Sequence, residues 1–149
     1  MKDIYYLFLV IVLSINTLNA QNPFNFKKDH DALLVKDVDA SAEFYNKIMG
    51  LNEIENGGLP EHIRWFELGD KVQVHLIESG NEIQKNKGVH LAINTDNLEG
   101  YIEFLKFKNV NFQNWPGEKG TTNTRPDGIK QIYLQDPDGY WIEINDNKL

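Results

Sequence analysis

The chain carries one pattern twice, and this repeat narrows the possible folds more than any other feature. Superposing His30 on His90 places Val38 on Leu98 and Phe44 on Phe104, at +8 and +14. Superposing His75 on Glu143 places Asp70 on Asp138, Val74 on Ile142 and Leu76 on Ile144. The markers lie 45 residues apart in the first copy (30 to 75) and 53 in the second (90 to 143), so the extra length falls in a loop over 114–128. Each copy reads strand, helix and then further strands, a βαβββ unit. The fold class expected is therefore α+β. Paired βαβββ modules, about 29–79 and 88–146 of a single domain over 29–149, form a rolled, barrel-like mixed sheet with helices outside.

Local signals place the elements. A strand over about 30–36 ends at Asp37, and Asp39 or Ser41 caps a helix over 40–49 that Gly50 stops. Ala40, Phe44 and Ile48 fall at i, i+4 and i+8 and give it one apolar stripe. Strands over 63–68 and 72–78 meet at the short Gly69-Asp70 turn. A polar linker over 79–87 follows. The pattern then restarts with a strand over 89–94, a cap at Asp96 or Asn97, and a helix over 98–108 with Leu98, Ile102 and Leu105 on one face. A weak strand near 110–113 precedes the long loop. Two strands joined by the turn Asp136-Pro137-Asp138-Gly139 close the chain.

Alternation along the strands separates an aliphatic face from a polar one. Val72, Val74 and Leu76 point away from His75, Leu91 and Ile93 away from His90, and Ile142 and Ile144 away from Glu143. His30 opens the first strand in the same way. Two similar sheets rolled toward each other bring His30, His75, His90 and Glu143 into one cavity. Three imidazoles and a carboxylate suit one divalent transition metal (Ni, Co, Zn, Fe or Mn) better than Mg or Ca. The plain alternative is that each histidine is an ordinary core or surface residue. His62, in a loop, is read as a surface residue.

Composition bounds the rest. Lys2 precedes a twelve-residue apolar run, Ile4 to Ile15, and a polar stretch ending at Ala20. This reads as a signal peptide over 1–20, so the mature chain is expected to be exported to the periplasm or beyond. The run is shorter than the roughly 20 residues a membrane span needs, so no stable membrane anchor is expected. Residues 21–28 form a lead-in. With no cysteine, neither a disulfide framework nor a thiol nucleophile is available. A net charge of −7 without any basic run argues against nucleic acid as a partner.

On His30 to Val35, Asp37, Ser41, Phe44-Tyr45 and Gly50-Leu51, the strand of His90, and Asp136 to Tyr140 with Glu143, the chain resembles the vicinal oxygen chelate superfamily. That group spans glyoxalases, bleomycin-resistance proteins and extradiol dioxygenases. The resemblance covers essentially all of 29–146. It implies His30, His90 and Glu143 as a shared metal triad, with His75 at the fourth position where bacterial glyoxalases carry glutamate. It also implies a small-molecule substrate chelated through vicinal oxygens, with Glu143 as ligand and base in isomerase or lyase chemistry. The alternatives are a non-haem Fe(II) dioxygenase and a non-catalytic protein that binds a metal or small ligand. The site forms either within one chain or across a homodimer.

Around it, Arg64 is a candidate for neutralising an anionic substrate or for a salt bridge to Glu61 or Glu67. Gln73, Trp141 and Tyr133 are candidates for the pocket wall. The loop from Trp115 to Arg125, with its glycines, reads as either a lid or a plain surface loop.

Overall fold

The computed structural model describes residues 27–82 and 85–148; the expected signal peptide lies outside them. The first module comprises β1 (His30–Val35), α1 (Val38–Lys47), β2 (Asn52–Ile54), β3 (Ile63–Gly69) and β4 (Val72–Glu78). The second comprises β5 (His90–Asn94), α2 (Leu98–Phe107), β6 (Phe112–Gln113), β7 (Asn123–Thr124), β8 (Lys130–Gln135) and β9 (Trp141–Asn145). Their sheets share a topology. The first runs β1-β4-β3-β2 and the second β5-β9-β8-β6, with β7 added beside β8. In each, the outer pair is parallel (β1 with β4, β5 with β9) and the remaining pairs are antiparallel.

The register reproduces the repeat residue by residue. Ala32 lies opposite His75, as Ala92 lies opposite Glu143; His30 lies opposite Gln73, as His90 lies opposite Trp141. On the next strand, Trp65 opposes His75 and Tyr133 opposes Glu143. Trp65 and Tyr133 are thus counterparts, a match the sequence comparison did not reveal.

The aliphatic faces of both sheets contribute to one core cluster. Val35, Phe66, Val74 and Leu76 from the first join Ile132, Leu134, Ile142 and Ile144 from the second, with Tyr45 of α1 and Leu98 and Leu105 of α2. The buried stripe of α1 differs from the expected one. Val38, Ser41, Ala42 and Tyr45 are buried, Phe44 and Ile48 only partly, and Ala40 faces solvent. The helix also starts earlier, because Asp37 is its N-cap: Oδ1 accepts from the backbone N–H of Asp39 (3.0 Å) and Ala40 (2.9 Å). Asn97 caps α2 in the same way through Gly100 N–H, 3.0 Å.

Two buried polar contacts tie α1 to the β8–β9 turn. Ser41 Oγ donates to Asp138 (3.0 Å) and Tyr45 OH to Asp136 (3.2 Å). Burial raises the pKa of both Tyr45 and Asp136. The polar residues of a turn signal thereby become part of the joint between modules.

Candidate active site on the polar faces of the sheets

Glu143 is the most firmly held of the predicted residues. A carboxylate in the middle of a strand is tolerated inside a protein only when donors surround it. Glu143 is 4% exposed. Tyr133 OH donates to its Oε2 at 2.5 Å, while Asn145 Nδ2 (2.7 Å) and Arg125 (3.2 Å) donate to Oε1. With the Gln131 amide nitrogen turned toward the carboxylate, it reaches both oxygens, at 3.2 and 3.3 Å. Burial and the Glu143 carboxylate raise the Tyr133 pKa, so its hydroxyl remains a donor.

His90 Nε2 stands 3.3 Å from Glu143 Oε2, and its Nδ1 lies 2.9 Å from the Lys87 carbonyl. A carbonyl can only accept, so Nδ1 carries the hydrogen, and Nε2 is the nitrogen turned toward the carboxylate. That is the arrangement of a metal-binding imidazole steadied through its other nitrogen.

The first sheet holds a different cluster. Trp65, His75 and His30 form a stack, with centroids 4.1 Å apart for Trp65–His75 and 4.2 Å for His75–His30 and the planes tilted by 5° and 12°. His75 Nε2 contacts Gln73 Oε1 at 2.7 Å, and His30 Nδ1 contacts Asp29 at 2.5 Å. Burial, and then the charge of His30, lower the His75 pKa. Gln73 Oε1 can only accept, so His75 Nε2 donates to it, whereas His30 Nε2 has no hydrogen-bond partner among the described residues.

The predicted ligands thus form two pairs, His30 with His75 and His90 with Glu143. Among the described residues, no three His, Asp or Glu side chains come close enough to share one ion. The donor chemistry of His90, Glu143 and His30 fits a divalent transition ion; His75 is engaged by its stack and by Gln73.

Of the surrounding candidates, Gln73 and Trp141 lie on the polar faces, as parity requires. Arg64 does not line the site. It lies on the core-facing side of β3 with Phe66 and forms a two-pronged pair with Glu53 (2.7 and 2.6 Å) and a contact to Asp39 (2.8 Å). Its partners are thus neither Glu61 nor Glu67. The mutual pairing lowers the Glu53 pKa and raises that of Arg64. His62 is exposed, as expected.

The 114–128 loop supplies Trp115 and Arg125 and is tied down. Asn114 Oδ1 accepts from Gly117 and Glu118 N–H, Asn123 Oδ1 accepts from Trp115 N–H, and β7 pairs with β8. Trp65 and Lys87 were not among the sequence candidates. A tryptophan in a strand signals packing in general, and Lys87 lies in a stretch without periodicity.

Comparison with known proteins agrees with this architecture. A sequence model of the Glyoxalase/Bleomycin resistance protein/Dioxygenase superfamily matches residues 27–144. YwbC of Bacillus subtilis (strain 168), an uncharacterized protein, is 30% identical over 123 residues, covering 78% of this chain and 94% of that one. A probable lactoylglutathione lyase of Vibrio cholerae is 29% identical over 134 residues, covering 80% and 89%. The crystal structure of the fosfomycin resistance protein FosX of Listeria monocytogenes superposes with a TM-score of 0.64 at 22% identity, covering 83% and 95%.

Proposed function

Because the chain belongs to the glyoxalase/bleomycin resistance protein/dioxygenase superfamily, we propose that it is a metal-dependent enzyme of glyoxalase type. Its reaction is a lyase or isomerase step on a small substrate with vicinal oxygens. The observation that carries this reading is Glu143, a buried carboxylate with the Nε2 of His90 3.3 Å away. His90, Glu143 and His30 would hold the ion, and His75 would take the fourth position on giving up its contact with Gln73. Such an ion, when bound, polarises the chelated oxygens and acidifies the neighbouring C–H. The chain's own part is to move the proton: Glu143 accepts it, while Tyr133, Asn145 and Arg125 fix the orientation of the carboxylate. Bringing the two pairs together requires closure within a chain or a second copy.

Elemental analysis of the purified mature protein tests the reading. Roughly one transition-metal ion per chain is expected, lost in the His90→Ala, Glu143→Ala double variant. Ni, Co or Zn supports this chemistry, oxygen-sensitive Fe(II) favours a dioxygenase, and no uptake of any of these ions favours a binding protein without turnover. Relatives named lactoylglutathione lyase make lactoylglutathione the first compound to assay.

Export belongs to the same proposal. Cleavage after Ala20 predicts a mature N-terminus at Gln21, which N-terminal sequencing reads directly. Outside the cytosol glutathione is scarce. A glutathione-free hydroxy-carbonyl compound is therefore the second substrate to assay.

A further inference from the structure

Beside Glu143, the second sheet holds a cation in a cage of aromatic rings. The Lys87 ammonium lies 4.6 Å from the ring centre of Tyr133, 4.8 Å from that of Trp141 and 5.5 Å from that of Trp115. It donates to the carbonyl oxygens of Asn114 (2.7 Å) and Trp115 (2.9 Å). No carboxylate among the described residues pairs with it. Burial lowers its pKa, a cost that the rings and carbonyls offset.

Contacts other than those of the lysine also hold the cage. Tyr133 and Trp141 stand on neighbouring strands, and Tyr133 is anchored through Glu143. The two carbonyls belong to a turn fixed by the Asn114 and Asn123 side chains. Lys87 itself comes from a segment outside any helix or strand. Tyr133 and Trp141 also wall a cavity of about 380 Å³ that includes Gln113, Lys119 and Gln135, so two of the three rings border space that a ligand can enter. Three rings and two convergent carbonyls match an ammonium that carries N–H donors.

We propose that Trp115, Tyr133 and Trp141, with the carbonyl oxygens of Asn114 and Trp115, bind the protonated amine of a small-molecule ligand. Lys87 occupies this site as an internal competitor until such a ligand arrives. The site stands whether or not the chain is an enzyme, since none of its groups is a proposed metal ligand.

The test uses the full mature chain, ¹⁵N-labelled, and methylammonium chloride as the probe, with sodium chloride at equal ionic strength as control. The indole N–H signals of Trp115 and Trp141 report the cage, and Trp65, on the other sheet, is the internal reference. Saturable movement of Trp115 and Trp141 alone is expected. Lys87→Ala should shift its midpoint about tenfold lower in probe concentration, and adding Trp141→Ala should abolish it.

A folded Lys87→Ala protein with no saturable shift overturns the proposal and leaves Lys87 as a structural staple. Equal movement of all three tryptophans, a general salt effect, overturns it too. If Lys87→Ala does not fold, the wild-type titration decides: selective saturable movement supports the site, and none up to the solubility limit overturns it.

Discussion

At the scale of single residues, Glu143 and His75 occupy matching positions with opposite consequences. Glu143 is surrounded by donors, and the proposed chemistry asks it to accept a proton. Glu143→Gln keeps the side-chain volume and removes the base. Turnover is expected to fall by roughly 10²–10⁴-fold with the fold retained, as a kinetic assay beside far-UV circular dichroism will show. The fold favours the neutral form of His75, its pKa lowered from the ordinary 6.5 first by burial and then by His30. The unfolded chain therefore binds a proton there more readily, and folding stability falls as pH drops through the histidine range. Urea midpoints measured between about pH 5 and 7 should rise with pH. They should rise less steeply in His75→Phe, which keeps a ring between Trp65 and His30. Both residues were legible in the sequence because parity alone sets them opposite aliphatic neighbours. Asn145, two residues further along the same strand, shares the face of Glu143 by parity, whereas Tyr133 and Arg125 meet Glu143 only once the chain has folded.

At the scale of elements, α1 shows where sequence periodicity misleads. Ala40, Phe44 and Ile48 form a clean apolar stripe, yet the buried face is Val38, Ser41, Ala42 and Tyr45. The helix turns its hydroxyl-bearing residues inward because the β8–β9 turn offers Asp136 and Asp138 as acceptors, a tertiary partner that periodicity cannot anticipate. Tyr45→Phe leaves a buried Asp136 oxygen without its donor. A loss of about 1–3 kcal/mol in urea unfolding is expected, with little change in secondary structure. Arg64 illustrates the converse. Strand alternation places it with Phe66, on the face where the helices pack. Only its partners on β2 and α1 needed the fold. The long loop was undecided in sequence because glycines serve hinges and fixed turns alike; the Asn114 and Asn123 side chains make it the latter.

At the scale of the whole molecule, the repeat was the most legible feature, and strand order and register follow it closely. The shared core was harder to foresee. Each module contributes an aliphatic face, and the two helices join the same cluster. One cooperative transition is expected. A variant reporting only through Trp65 and another reporting only through Trp115 and Trp141 should show coincident denaturant midpoints; separate midpoints would mean that the modules unfold independently.

The pairing of Trp65–His75 in one half with Tyr133–Glu143 in the other has a stereochemical consequence. On the proposed reading, a planar intermediate beside Glu143 meets a carboxylate on one side only. The returning proton then arrives at a single prochiral face, and the product forms as one enantiomer. Divergence between two copies of an ancestral half would thus be recorded as the handedness of a small molecule.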